Sequence, residues 1–148
     1  MTDQDRPSQL NEDPEFCGLV GVARRDITPP VGIHARQFAV RKESNTTTGT
    51  HLPLLATALV VRDSAEAEPL VLVSVDASWF KVPSDEFDLI RGPILEALPL
   101  DEARLIIAYS HTHASCSISS NEVDKEGGDR ILPYVKTIRD RVTEAIQE

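Results

Sequence analysis

Apolar and polar positions along the chain mark out most of its regular elements. From Cys17 the run "CGLVGVARRDITPPVG" begins as an extended segment, and Pro29, Pro30 and Gly32 then end it in a turn. A first strand is predicted there. Residues 54–62, "LLATALVVR", and 70–76, "LVLVSVD", are rich in valine and leucine and flank the turn-prone "DSAEAEP". That pattern predicts a β-hairpin of two well-buried strands. Between them and the first strand, residues 34–50 sustain neither period, and "ESNTTTGTH" is rich in turn formers. This predicts a long connecting loop of the kind that often carries function.

Ser84 can cap a helix whose first turn carries Asp85 and Glu86, with Phe87, Ile90, Ile94 and Leu98 on one face. Pro93 cannot donate to the carbonyl of Leu89, so a kink or interruption is expected there. Residues 104–109 then read as a strand reached through that helix. A βαβ unit with parallel strands follows. Ile131, Val135, Ile138, Val142 and Ile146 recur at spacings of three and four, which predicts a second amphipathic helix. The predicted class is α/β, a partly parallel sheet with a βαβ unit and packed amphipathic helices. Because a helix after a parallel strand normally leads to another strand, the chain is expected to be a fragment of a larger α/β domain.

Composition narrows the partners. With 148 residues and 41% apolar content, one ordinary core is possible. Residues 1–16 are acidic, polar and poor in apolar side chains, and are expected to be a disordered tail preceding a unit over residues 17–148. The 24 acidic against 15 basic residues, a net charge of -9, argue against nucleic acid and anionic membranes as partners. No apolar run is long enough to span a bilayer, and the N-terminus lacks the basic start and apolar stretch of a secretory signal, so a cytoplasmic location is expected. Cys17 and Cys116 stand far apart and read as free thiols.

Candidate chemistry concentrates in "YSHTHASCS", residues 109–117, directly after the apolar run "ARLIIA". In an open parallel sheet, ligands bind outside the carboxyl ends of strands, where this run and Asp76 would both lie. If the extended conformation continues, His111 and His113 point the same way and could offer two nitrogens to one zinc ion, or one ligand and one acid-base group. Asp76 could accept the second ring proton of a ligating histidine and fix its tautomer. His34 and His51 read as solvated loop residues. A hydrolase built on Cys116 or a nearby serine is a rival, since a thiol and several serines crowd the same stretch. A third reading makes the histidines structural and the domain a scaffold or assembly module.

Four segments, "VGVARRDITPPVG", "HLPLLATALVVRD", "LVLVSVDAS" and "ARLIIAYSHTHAS", occur in an order and at gaps that resemble the N-terminal part of the neutral/alkaline, non-lysosomal ceramidase family. The resemblance covers roughly residues 18–115. It implies a zinc-dependent amidase that cleaves the N-acyl bond of ceramide to give sphingosine and a fatty acid. In such enzymes one histidine of the HTH motif binds zinc, together with a histidine, a glutamate and a tyrosine from further along, where a serine implicated in the chemistry also lies. On the matching positions the resemblance implies His111 as the ligand and His113 as a neighbour contacting substrate or the ligand's surroundings, both within the metal site. After the second histidine the family continues with glycine and proline, whereas this chain reads "ASCSIS". The remaining ligands have no counterpart here, so the chain alone is expected to be inactive and to need a C-terminal domain or a homo-oligomer. The expected substrate is an amide lipid or another small molecule, since fold and partial motif do not determine it.

Overall fold

The computed structural model describes residues 17–35 and 45–148. The expected tail over residues 1–16 and the middle of the long loop, residues 36–44, lie outside the described residues. Four strands form one sheet in sequence order: β1 (Leu19–Asp26), β2 (Leu55–Arg62), β3 (Leu70–Val75) and β4 (Leu105–Tyr109). The first three are antiparallel neighbours, and β4 runs parallel to β3 with Val71 opposite Leu105 and Val75 opposite Tyr109. The expected hairpin and βαβ unit are both present, in a mixed α/β fold.

Period-2 alternation decides which face is covered. Ala56 and Ala58 on β2 and Val71, Val73 and Val75 on β3 are buried against the helices. Helix α2 (Ile131–Gln147) supplies Ile131, Val135, Ile138 and Val142 to this core, as its spacing predicted, and adds Tyr134. The Tyr134 hydroxyl donates to the Ile27 carbonyl at 2.7 Å, which ties the helix to the turn after β1. Each of these isoleucines and valines contributes about 1.5–3 kcal/mol by leaving water. The opposite face carries Val20, Val22 and Ile106 at 59%, 64% and 49% exposure, so among the described residues the sheet is covered on one side.

The connection from β3 to β4 differs in detail from the sequence expectation. A π-helical turn (Phe87–Arg91) leads into the short helix α1 (Gly92–Ala97), and the Gly92 N–H donates to the carbonyl of Phe87, five residues back. The wide turn occurs where Pro93 has no N–H to give to Leu89, so the helix continues past the proline instead of breaking. One extra residue in the turn rotates the apolar face. Ile90, Ile94 and Leu98 are buried as expected, but Phe87 is left exposed.

After the histidines the chain plunges into the protein. Ser115, Cys116, Ser117, Ile118 and Ser119 are all buried, although their serine content resembles that of a surface loop. Polar partners make this tolerable. Ser119 Oγ accepts from the Val82 N–H at 3.3 Å, and the buried carboxylate of Asp85 accepts from the Ser120 N–H and hydroxyl, each at 2.7 Å. The Ser117 N–H donates to the His34 carbonyl at 2.8 Å. Ser117 Oγ donates to Glu122, whose other oxygen lies 2.8 Å from Lys81 Nζ and 3.7 Å from His34 Nε2. His34, expected to be a solvated loop residue, is 5% exposed and pairs by an isolated antiparallel bridge with Thr46. It is part of the structure, because the loop folds back onto the core.

Cys116 sits at 0% exposure, and burial, opposed in part by hydrogen bonds with Ser115, its own backbone and Tyr134, pushes its thiol up to about 12. The reading of Cys116 as a nucleophile is thereby corrected: the group is protonated at neutral pH and inaccessible. Iodoacetamide should therefore label the exposed Cys17 of the native chain and spare Cys116 until denaturant is added, as peptide mass mapping would reveal. Rapid native labelling of Cys116 would contradict the core described above.

Burial by itself raises the Glu122 carboxyl, but hydrogen bonds from Lys81 and Ser117 and the charges of Lys81 and His34 outweigh it, so its pKa falls below the ordinary glutamate value. A carboxyl lowered in the folded state adds stability that is fully present above its unfolded pKa, about 4.3, and lost as pH falls through the folded value. Urea unfolding at pH 7 and pH 3 should show Glu122→Gln clearly less stable than the parent at neutral pH, with the gap narrowing in acid. A gap between the two proteins that does not change with pH would exclude this role for the ionised carboxylate.

Candidate metal-binding site at the strand ends

The parallel ladder does not stop with the strands. Ser110 N–H donates to the Val75 carbonyl at 3.0 Å and Thr112 N–H to the Ala77 carbonyl at 3.2 Å, so the segments after β3 and β4 stay side by side. Asp76 and the histidine run therefore share the carboxyl edge of the parallel pair, the place where ligands collect in such sheets.

The extended conformation does not continue through the histidines. His111 has φ +56°, a left-handed backbone that is uncommon outside glycine. A turn follows, in which Thr112 Oγ1 accepts from the Ala114 N–H at 3.2 Å. Strain of this kind costs of order 1–3 kcal/mol and persists where the surroundings dictate it, often at functional sites. Here the ladder holds one side of the tip and the buried serine segment holds the other.

Despite the turn, the two imidazoles come together. Their ring centroids lie 5.4 Å apart, and both side chains are exposed. A tetrahedral ion bound by two imidazoles at ~2.0–2.1 Å would hold their centroids roughly 5 Å apart, so the spacing fits a shared ligand role. Among the described residues no group of three or more histidine, cysteine or acidic side chains could hold a metal ion. The pair can supply two positions of a coordination sphere, and other groups would have to complete it.

Asp76 is at the same edge, but its carboxylate accepts from the Leu55 N–H at 3.3 Å, while its own N–H donates to the Leu55 carbonyl. It lines a cleft of about 350 Å³ together with Thr28, Pro29, His51, Leu52 and Thr112. The structure thus brings His51 toward Asp76 and leaves His34 in the Glu122 cluster. Sequence reasoning missed Trp79, whose indole lies 4.2 Å from the His111 ring and 6.2 Å from the His113 ring, centroid to centroid. It is the chain's single tryptophan, three residues beyond Asp76, and that position at a strand end was the available signal. Nothing in the sequence announced Glu122, which the fold alone carries to Ser117 and Lys81.

No protein-family model matches the sequence, and no curated protein matches it. Solved structures do. Neutral ceramidase from Pseudomonas aeruginosa superposes with a TM-score of 0.62 at 17% identity, over 90% of this chain and 21% of its own. A ceramidase complexed with C2 superposes with a TM-score of 0.53 at 14% identity, over 88% of this chain and 22% of its own. The chain therefore spans about a fifth of the length of these ceramidases and shares the fold of that part.

Proposed function

We propose that the chain is the N-terminal portion of a zinc-dependent amidohydrolase acting on the N-acyl bond of a ceramide-like lipid, with His111 and His113 in its metal site. The observation that carries this reading is the meeting of the two imidazoles at the carboxyl edge of the β3/β4 pair, in a fold shared with ceramidases.

Within that reading His111 is the ligand that the strained tip presents. His113 is its neighbour, placed to share the ion or touch substrate. Zinc, when bound, supplies Lewis acidity toward the amide carbonyl and lowers the pKa of water. Asp76, whose carboxylate accepts from Leu55 in this structure, would orient a ligating ring only with its remaining oxygen, and the cleft beside Thr112 offers Pro29, Leu52 and Pro53 to an apolar ligand. The remaining ligands and the acting serine would come from polypeptide outside the described residues, in the same chain or a partner copy.

A second reading, a non-catalytic assembly module, draws on the open sheet face with Val20, Val22 and Ile106. It needs no metal. Among the described residues no helix is long and apolar enough to cross a membrane, and both readings accommodate that.

Zinc uptake separates them. In equilibrium dialysis against zinc, which also registers the weak binding that two ligands allow, the parent chain should take up ion, with at least a tenfold loss of affinity in His111→Ala. His113→Ala should lose less. A parent chain that takes up no zinc even at saturating free ion, or a His111→Ala chain that binds as well, would sink the metal reading and favour the assembly module.

A further inference from the structure

Trp79 stands at the centre of a line of contacts that begins in the protein interior and ends on the exposed histidines. Glu122 receives the Ser117 hydroxyl and faces His34. Its carboxylate lies 2.8 Å from Lys81 Nζ. That ammonium is 5.9 Å from the centroid of the Trp79 ring, within the range of a cation–π contact, and the same indole packs on His111 at 4.2 Å. An aliphatic side chain at position 79 could not meet both partners with a polarisable face. Lys81 is itself pinned by an ion pair that is mostly out of solvent, so the indole is steadied from the core.

His111 has need of such a contact. Its side chain is exposed on a left-handed turn, where the backbone fixes the Cα but leaves the ring free to rotate. A ligand ring that is already ordered loses less freedom when an ion arrives.

We propose that Trp79, steadied by Lys81, is the positioning residue for the His111 imidazole, holding it beside His113 so that both rings can offer nitrogen to one divalent ion. The purpose assigned to the clamp rests on the metal-site reading above; the clamp itself exists without metal. Groups flanking a metal ligand are typically worth 10–100-fold in affinity.

Two measurements on the full chain test it, with circular dichroism to confirm folding. In the metal-free protein, NMR should show the His111 ring protons shifted upfield by the indole ring current, with relaxation as slow as the backbone's; Trp79→Ala should abolish both signatures. Zinc affinity, read by competition with a chromophoric chelator, should fall about 10–100-fold in Trp79→Ala and be largely restored in Trp79→Phe, which keeps an aromatic face. Should the alanine variant fail to fold, Trp79→Leu, which keeps bulk without an aromatic face, supplies the same comparison against Trp79→Phe. A His111 ring equally ordered without Trp79 overturns the clamp, whatever the metal does. Equal zinc affinity of Trp79→Ala and parent, with His111→Ala impaired, also overturns it and leaves the metal site standing. An ordered ring that depends on Trp79, in a parent chain that takes up no zinc even at saturating free ion, upholds the clamp and overturns the metal reading.

Discussion

Val75 and Tyr109 face each other at the end of the parallel β3/β4 ladder, and two further hydrogen bonds, Ser110 to Val75 and Thr112 to Ala77, extend it. Those bonds decide where the chemistry can lie. They hold the chain after β4 against the chain after β3, which puts Trp79 within reach of His111. Had β4 paired antiparallel, the histidines would have emerged at the other edge of the sheet, away from Asp76 and Trp79. A parallel neighbour requires a crossover, and the helix with its π-turn provides one that still buries Ile90 and Ile94.

The second support of the site is the buried serine segment. Sequestering backbone and hydroxyls in a core is costly unless each finds a partner; Asp85, Glu122 and the backbone of residues 34 and 82 supply them for Ser117, Ser119 and Ser120, and the Ser115 hydroxyl is left without one among the described residues. This network has a geometric consequence. With the chain drawn inward from Ser115, the preceding four residues must turn sharply, and the left-handed His111 begins that turn. The exposed imidazoles are therefore mounted between two rigid anchors, which is the arrangement that precise ligand placement requires.

The open face of the sheet is a separate matter from the site. Its valines and isoleucine alternate with the residues that pack under the helices, so the face carries exposed Val20, Val22 and Ile106 beside the polar Arg24, Thr57 and Ser74 and is uncovered among the described residues. Ceramidases of which this chain spans about a fifth have ample further polypeptide. The exposed Val20, Val22 and Ile106 are the feature on which the assembly reading rests.

Much of this was legible in the linear pattern. Valine-rich runs of strand length, a three-four apolar period over residues 131–146 and a strand–helix–strand order suffice for the four strands, the long helix and the parallel pair, because secondary structure answers to local periodicity. The histidine pair and Asp76 were legible as polar side chains at the carboxyl ends of neighbouring strands for the same reason. What local pattern could not convey was the burial of Cys116 and its serines, the retrieval of His34 into the core, or the meeting of Trp79, Lys81 and Glu122. Each depends on partners tens of residues away, and composition near a position says little about whether a distant carboxylate will arrive to satisfy it. Phe87 illustrates the limit at short range: a single missing N–H at Pro93 accompanies a wider turn, and Phe87 alone of the face read from a regular 3.6 period is left out of the core. Sequence alone determined the elements and their order; only the tertiary structure, through the long-range hydrogen bonds and packing that close the ladder, decided which side chains share a site.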